Sequence, residues 1–269
     1  MGGNGWRLIL DGRNPGSFNM ALDEALMECC RNGSPPTLRL YGWSPDCLSV
    51  GYFQRAEQDI DPKTCQTLGI DLVRRPTGGR AVLHDDEMTY SVTGSLDDPG
   101  ITGSVNESYA RIAAGIRQGL KVLGLEVDEG SVPGARVKTE TGACFEAVWG
   151  HELTVEGRKI VASAQTRRGG VVLQHGSILL SADPGRLAAV FRTEDKHLME
   201  AMFRRRLTTL SDLLGRQVNA EEVAPAIRRG FEQALGVALE VGHPSDEELV
   251  LATRLAAEKY GNPAWNLRR

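Results

Sequence analysis

Residues 152–180, ELTVEGRKIVASAQTRRGGVVLQHGSILL, decide the fold. Apolar and polar side chains alternate on both sides of Glu156-Gly157, the kind of dipeptide that closes a β-hairpin. Gly169-Gly170 predicts a second turn, and another alternating run follows it. We therefore expect a meander of three antiparallel strands, at residues 152–155, 158–165 and 171–180.

Short strands and helices alternate upstream of this meander. Trp6 to Leu10 reads as a strand, and Asn19 is placed to cap a helix that carries apolar side chains from Met20 onward. Thr37–Trp43 and Cys47–Phe53 flank a Ser-Pro-Asp turn, which predicts adjacent antiparallel strands. The other elements expected in this half are a helix from about residue 62, strands at 71–75, 81–84, 88–93 and 125–127, a helix at 104–123 and a loop at 132–142.

Beyond the meander the apolar spacing changes from strand-like to helical. Helices are predicted at 184–190, 207–214, 220–235 and 246–259, with a short strand at 237–241. Strands first and helices last indicate the α+β class, with mixed, largely antiparallel sheets flanked by helices. Neither a linker nor an internal repeat divides the sequence, so we expect residues 1–269 to form a single domain whose C-terminal part is helical from about residue 184.

The composition is that of an ordinary water-soluble globular protein, with 41% hydrophobic and 25% charged residues. A net charge of −4 argues against a nucleic-acid binder, because such proteins concentrate positive charge along the phosphates. The first residues lack the basic start and apolar core of a secretory signal, and no apolar run reaches the roughly 20 residues of a membrane helix. We expect a cytoplasmic protein that binds neither membrane nor nucleic acid.

The five cysteines predict free thiols rather than a disulfide framework or a zinc site, because their number is odd and no C-x-x-C pair occurs. Cys144 stands apart, since it follows a glycine-rich loop and precedes the strand that carries Lys159. A thiolate is a nucleophile, and a neighbouring ammonium group lowers the pKa of the thiol that forms it. The alternative for a lone cysteine is a small buried apolar residue.

A glycine turn lies between two predicted strands in RRPTGGRAVLHD, residues 74–85. Two glycines there let a ligand approach the backbone, whereas the alternative is a hairpin with exposed arginines. His84, His151 and His175 are candidate bases or donors near the thiol, although a histidine on a strand is more often a structural hydrogen-bonding group. Neither a P-loop, an HExxH pair nor a GxSxG elbow occurs, so we expect no metal site and no serine nucleophile.

These motifs resemble the biotin and lipoate protein ligase superfamily. The resemblance rests on RRPTGG through His84-Asp85, on GRK through Ser163-Ala164-Gln165, and on the tail KYGNPAWN at 259–266. Within the superfamily, the placement of Cys144 fifteen positions before Lys159, together with the QTR and QHGSILL motifs that follow, is most similar to the octanoyltransferases of lipoate assembly. The resemblance covers nearly the whole chain and implies a single catalytic domain with the biotin/lipoate protein ligase fold.

The same resemblance implies a protein N-octanoyltransferase. Octanoyl would pass from acyl carrier protein to Cys144 and then to a lysine of a lipoyl domain, typically that of the glycine cleavage H protein. Lys159 would lower the pKa of Cys144, and no cofactor is needed because a thioester donor is already activated. The octanoyl tail would lie in a narrow apolar tunnel, where each buried methylene contributes about 0.8 kcal/mol. The residues implied to line this tunnel are Arg75, Gly78, Gly79, His84, Ser163 and Ala164.

Three other functions stay open on the sequence. An amidotransferase that moves octanoyl from H protein to other lipoyl domains also uses a cysteine. An ATP-dependent lipoate or octanoate ligase would use Lys159 to bind the activated carboxylate, although Arg80 replaces the third glycine of many ligases and weakens a nucleotide site. A catalytically silent module that binds lipoyl domains is the third. The base for the acceptor amine also stays open between neutral Lys159 and His151.

Overall fold

Strands form two sheets in the part of the chain that the computed structural model describes, residues 5–130 and 152–268. The strands are β1 (Gly5–Asn14), β2 (Thr37–Trp43), β3 (Cys47–Val50), β4 (Asp71–Arg74), β5 (Val82–His84), β6 (Glu87–Ser95), β7 (Asp128–Gly130), β8 (Glu152–Val155), β9 (Arg158–Arg168), β10 (Val171–Leu179) and β11 (Ala238–Val241). The larger sheet has the order β11-β1-β2-β6-β10-β9-β8-β7, and the smaller sheet has the order β4-β3-β5. β1 pairs in parallel with β2 and β11, β3 pairs in parallel with β4, and the other neighbours are antiparallel.

Helices pack around these sheets. They are α1 (Gly16–Arg31), α2 (Ala56–Asp59), α3 (Pro62–Thr67), α4 (Val105–Val122), α5 (Pro184–Ala189), α6 (Lys196–Arg206), α7 (Leu210–Leu214), α8 (Ala220–Leu235), α9 (Asp246–Leu255), a π-helical turn (Ala256–Tyr260) and α10 (Pro263–Asn266). Within the described ranges, no helix combines the length and the apolar character needed to cross a membrane. The observed architecture confirms the α+β class with mixed, largely antiparallel sheets.

The large sheet buries both of its faces. Leu8 and Ile9 are neighbours in β1 but belong to different apolar clusters, because successive strand residues point to opposite faces. The cluster around Leu8 includes side chains of α4 and α8, whereas the cluster around Ile9 includes side chains of α1 and α9. A third cluster joins the small sheet to α5 and α6. The crevice between the two sheets is where the candidate site lies.

The meander predicted at residues 152–180 is confirmed. β8, β9 and β10 are consecutive antiparallel neighbours. The backbone is left-handed at Glu156 and Gly157, with φ of 52° and 74°, which matches a hairpin turn that needs positive φ at both central residues. Gly169 and Gly170 close the second turn in the same way, with φ of 54° and 79°.

Two local predictions were wrong. Asn19 does not cap α1, because the helix begins at Gly16 after Pro15, and the Asn19 amide is buried and donates to two backbone carbonyls instead. Thr37–Trp43 and Cys47–Phe53 do not pair with each other, since β2 joins the large sheet and β3 the small one. The chain crosses from one sheet to the other at the Ser-Pro-Asp turn, so the turn separates two sheets rather than closing a hairpin.

Smaller differences concern element boundaries. The strand expected at residues 125–127 lies at β7, and α6 was not predicted because only two of its eleven residues, Met199 and Phe203, are buried. The expected loop at 132–142 lies outside the described residues. After β10 the described chain is helical except for β11, close to the predicted change at residue 184.

Candidate active site

A small pocket opens between the two sheets. Strands of the large sheet form one wall, strands of the small sheet form the other, and α1 closes one side. The lining residues are Met20 from α1, Tyr41 and Trp43 from β2, Ser49 from β3, Arg75 after β4, Val82 and His84 from β5, Ala162, Ser163 and Ala164 around the middle of β9, and His175, Gly176 and Ser177 from β10. Apolar groups therefore dominate the space, with a few polar groups that can orient a ligand.

Four of the six residues implied to bind substrate line this pocket: Arg75, His84, Ser163 and Ala164. Gly78 and Gly79 lie in the turn next to it, where Arg75 Nη2 donates to the Gly78 carbonyl at 2.8 Å. A Cβ placed on Gly51 would lie 1.9 Å from the Gly79 carbonyl oxygen, so the turn packs directly on the end of β3. The two glycines thus shape the pocket from behind Arg75.

The Arg75 side chain is buried and holds this turn together. Its guanidinium donates to the carbonyls of Gly78 and Arg80, both at 2.8 Å, and to the carbonyl of Ser49 at 3.0 Å. It also donates to two hydroxyls, Thr77 Oγ1 and Ser49 Oγ, at 3.2 Å each. Arg75 therefore reaches the pocket and organises the loop beside it at the same time.

His175 stands on β10 between Asp23 of α1 and the glycine turn. Its Nδ1 lies 3.0 Å from Asp23 Oδ2, and its Nε2 lies 2.6 Å from Thr77 Oγ1. Burial opposes the charge on Asp23, yet the hydrogen bond from His175 and the charge of Arg39 hold the pKa of this carboxyl below its usual value. Burial also lowers the pKa of His175, against the opposing pull of Asp23. The arrangement is a buried carboxylate beside a neutral imidazole.

His84 stands in a second arrangement of the same kind. Its Nδ1 lies 2.8 Å from Glu87 Oε1 and its Nε2 lies 2.7 Å from Ser49 Oγ. The ring stacks on Trp43 with centroids 3.9 Å apart and an interplanar angle of 12°. Ser177 Oγ donates to the same Glu87 oxygen at 2.9 Å. Two hydroxyl–imidazole–carboxylate chains thus border one pocket.

Lys159 lies near the start of β9, three residues before the pocket wall at Ala162. Its side chain is fully buried, and its Nζ lies 2.8 Å from each carboxylate oxygen of Glu152 on β8. The ion pair places an ammonium group at a fixed position on the strand that lines the pocket. Cys144 and His151 lie outside the described residues.

The C-terminal tail motif has a structural contact near the site. Trp265 Nε1 donates to the Arg74 carbonyl at 2.9 Å, and Asn266 Oδ1 accepts from the Arg74 backbone N–H at 2.9 Å. The buried Arg74 guanidinium in turn donates to the carbonyls of Gly51 and Arg268, both at 2.7 Å. The tail therefore holds the end of β4, from which Arg75 enters the pocket.

Sequence reasoning missed several polar residues of the site, chiefly Asp23, Ser49, Thr77 and Glu152. Asp23 carried a usable signal, because a carboxylate sits among the apolar residues of a helix, in MALDEAL at residues 20–26. A buried charge requires partners, and here they are Arg39, Tyr41, Ser91 and His175. Ser49 and Thr77 carried no comparable signal, since their histidine partners meet them only through contacts that the sequence did not reveal. Glu152 and its partner Lys159 lie on the two strands of the predicted hairpin, but alternation alone does not show that they form an ion pair.

Comparison with known proteins adds a separate line of support. A family model for the lipoyl protein ligase A/B catalytic domain matches residues 15–232. Octanoyltransferase LipM of Kyrpidia tusciae is 46% identical over 274 residues, covering 98% of this chain and 99% of that protein. Octanoyltransferase LipM of Bacillus subtilis is 41% identical, covering 98% of each chain.

Solved structures agree with the family match. The bipartite lipoate protein ligase of Thermoplasma acidophilum, analysed with its E2 lipoyl domain, has a TM-score of 0.83 at 28% identity, covering 100% of this chain and 98% of that chain. A lipoate-protein ligase A bound with ATP has a TM-score of 0.81 at 28% identity, covering 99% of each. Similarity therefore extends over the full length in sequence and in fold.

Proposed function

The chain belongs to the lipoyl protein ligase A/B catalytic family and, within it, to the octanoyltransferases of lipoate biosynthesis named LipM, and we propose that it moves octanoyl from acyl carrier protein to a lysine of a lipoyl domain. The acceptor is the glycine cleavage H protein, and the acyl group is held on Cys144 between the two transfers. The observation that carries this proposal is 46% identity over nearly the full length of an octanoyltransferase.

The chemistry runs through two acyl transfers at one carbonyl, a thioester exchange followed by aminolysis. The Cys144 thiolate attacks the octanoyl carbonyl, the bond to the carrier sulfur breaks, and the carrier thiolate leaves and takes up a proton. The neutral acceptor amine then attacks the Cys144 thioester, an amide forms, and the proton lost by the amine balances the thiolate that Cys144 releases. Neither step requires ATP, because covalent catalysis divides the transfer into two exchanges of an activated acyl group.

The position of Lys159 supports this chemistry. A buried ammonium near the start of β9 favours a negative charge beside it, and a thiolate is the charge that the first step needs. Glu152 keeps that ammonium in place at 2.8 Å. The role that we assign to Lys159 is therefore to lower the pKa of Cys144 from a fixed position.

The pocket supports an octanoyl tail as the ligand. Its apolar lining includes Met20, Trp43 and Val82, and each methylene that enters it contributes about 0.8 kcal/mol. We assign octanoyl contact to Arg75, His84, Ser163 and Ala164, with Gly78 and Gly79 shaping the turn behind them. The tail would lie between the sheets and the carbonyl at the end of the pocket toward Lys159.

An intact-mass experiment tests the proposal. Wild-type protein and Cys144→Ala are mixed with octanoyl-acyl carrier protein without ATP, and then with H protein. We expect an octanoyl adduct on the wild type alone, released by hydroxylamine and passed to H protein. An adduct formed only from octanoyl-H protein would instead identify the amidotransferase, and octanoylation that requires free octanoate and ATP would identify the ligase. Full transfer by Cys144→Ala would refute the covalent mechanism.

A further inference from the structure

A chain of hydrogen bonds runs from Arg75 through Thr77 and His175 to Asp23. One end of this His175 chain can only donate hydrogen bonds, and the other end can only accept them. The Arg75 guanidinium has no acceptor, and the Asp23 carboxylate, with its lowered pKa, has no donor. Burial lowers the pKa of His175, so its ring is neutral and its one N–H proton lies on Nδ1, which donates to the Asp23 carboxylate at 3.0 Å. His175 Nε2 then accepts from the Thr77 hydroxyl at 2.6 Å, and the Thr77 oxygen accepts in turn from Arg75 Nε at 3.2 Å. This arrangement satisfies all three bonds.

The His84 chain obeys the same logic and starts from the same guanidinium. Arg75 Nη1 donates to Ser49 Oγ at 3.2 Å, and the Ser49 hydroxyl directs its proton to His84 Nε2 at 2.7 Å. His84 Nδ1 then donates to the Glu87 carboxylate at 2.8 Å. Both rings are therefore fixed in one tautomer, which is set by the hydrogen bonds at the opposite nitrogen.

We propose that Arg75 is a positioning residue of the acyl pocket, which acts through Thr77 and Ser49 to hold the rings of His175 and His84 with Nδ1 toward Asp23 and Glu87. The inference rests on the proposed function, because its purpose is an ordered wall for an apolar acyl chain. All four ring nitrogens are engaged within the protein, so neither ring presents a lone pair to the acceptor amine. The two histidines shape the pocket, and the proton of the amine goes elsewhere.

The charges around His175 explain why Arg75 is needed. Burial lowers the pKa of this imidazole, the Asp23 carboxylate on α1 raises it, and the positive charge of Arg75 lowers it. Arg39 and Tyr41 on β2 face the ring across Asp23, to which both donate. Replacing Arg75 by methionine removes a cation that disfavours the charged form of the ring. The imidazolium then becomes possible and places a charge in the wall.

Nitrogen-15 spectra of histidine-labelled, full-length protein test the tautomers without any substrate. Peaks are assigned with His84→Asn and His175→Asn. We expect both wild-type rings to show the Nδ1–H pattern at pH 7. In Arg75→Met the titration of His175 should move upward by about one pH unit, the lower end of the effect of a nearby charge. Arg55→Met, which changes an exposed arginine in the loop after β3, should leave both rings unchanged.

Variants that each break only one of the two hydrogen-bond chains keep the test valid even where Arg75→Met misfolds. Thr77→Val should alter the signals of His175 and spare those of His84, whereas Ser49→Ala should do the reverse. An Nε2–H pattern on either wild-type ring, or an unmoved His175 titration in a folded Arg75→Met, would overturn the proposal. The proposal would also be overturned if Thr77→Val and Ser49→Ala each changed the signals of both rings equally, since the two hydrogen-bond chains would then not be separate.

Kinetics connect the tautomers to the acyl pocket. For Arg75→Met we expect KM for the octanoyl donor to rise about tenfold, and transfer from preformed acyl-enzyme to change less than about threefold. Arg75→Lys keeps a donor and a charge, so it should recover part of the KM. An unchanged donor KM would refute the link to acyl binding. If the spectra show the predicted tautomers but the intact-mass experiment shows no octanoyl adduct, the proposed function is wrong and the tautomer inference stands.

Discussion

Lys159→Met tests whether the buried ammonium of β9 is held as an ion pair. Lys159 Nζ lies 2.8 Å from both oxygens of Glu152, and the exposed fractions of the two side chains are 0% and 3%. Removing the lysine deletes one half of this buried ion pair. Breaking a buried pair in this way costs about 3–5 kcal/mol, so we expect the free energy of unfolding to fall by that amount.

A double-variant cycle separates the pair from the loss of packing. Replacing both partners by apolar groups is often close to neutral, so Lys159→Met with Glu152→Leu should cost much less than the two single changes added together. The matched control is Arg204→Met, which breaks a 2.7 Å pair with Glu200 on the surface of α6. The Arg204 side chain is 62% exposed, and its loss should cost less than about 1 kcal/mol.

Urea unfolding at pH 7, followed by circular dichroism without substrate, measures each free energy, with the slope checked for constancy. A cost below about 1 kcal/mol for Lys159→Met would mean that the ammonium is not a buried partner of Glu152. Additive single and double costs would mean that the two groups do not interact. Either result would remove the fixed cation on which the assignment of Lys159 rests.

Three further outcomes follow from packing and burial. Gly51→Ala should destabilise the protein by more than about 3 kcal/mol, because its Cβ would lie 1.9 Å from the Gly79 carbonyl, while Gly12→Ala, with nothing within 4 Å, should change the melting temperature little. Burial raises the pKa of Asp85 to about 6, so the folded state binds the extra proton and stability falls as pH rises from about 4 to 6. Asp85→Asn should therefore be about 2 kcal/mol more stable at pH 7 in urea unfolding and no more stable below pH 4. Met20→Trp should fill the pocket and reduce octanoyl transfer about tenfold relative to hexanoyl transfer, since each excluded methylene costs about 0.8 kcal/mol; an unchanged chain-length profile would place the tail elsewhere.

Local patterns predicted most helices and strands, but not the pairing of strands that lie far apart in the sequence. The meander follows from side-chain alternation and from glycines that the turns require, so both signals lie within the segment itself. The relation of β2 to β3 depends on partners far along the chain, since β2 pairs with β6 and β3 with β4 and β5. A turn dipeptide carries no information about that choice. The prediction that Asn19 caps α1 failed because its side-chain amide donates to the carbonyls of Asn14 and Gly42 instead.

The residues of the site likewise fall into two groups, those that motifs revealed and those that only tertiary contacts bring together. The glycine turn and the run Ser163-Ala164 were found from motifs, and the structure places Arg75, His84, Ser163 and Ala164 around one pocket. The role of each of these residues in binding octanoyl stays a prediction. Asp23 and His175 are 152 residues apart and meet only because α1 packs on β10. No spacing rule reveals such a contact, whereas a charge within an apolar helix face does predict that some partner exists.

The placement of Lys159 and the pocket on one strand links stability to chemistry. The distance between Lys159 and Ser163 spans four residues of β9, with a bulge where this strand meets β8. β9 is held by β8 on one side and β10 on the other, so this distance does not vary as it would between two loops. In the proposed mechanism, a carbonyl bound at the Lys159 end of the pocket therefore keeps its distance from the ammonium while its tail lies between the sheets. The same proposal makes Glu152, the partner of that ammonium, as important for the position of the acyl group as the lining of the pocket is for its length.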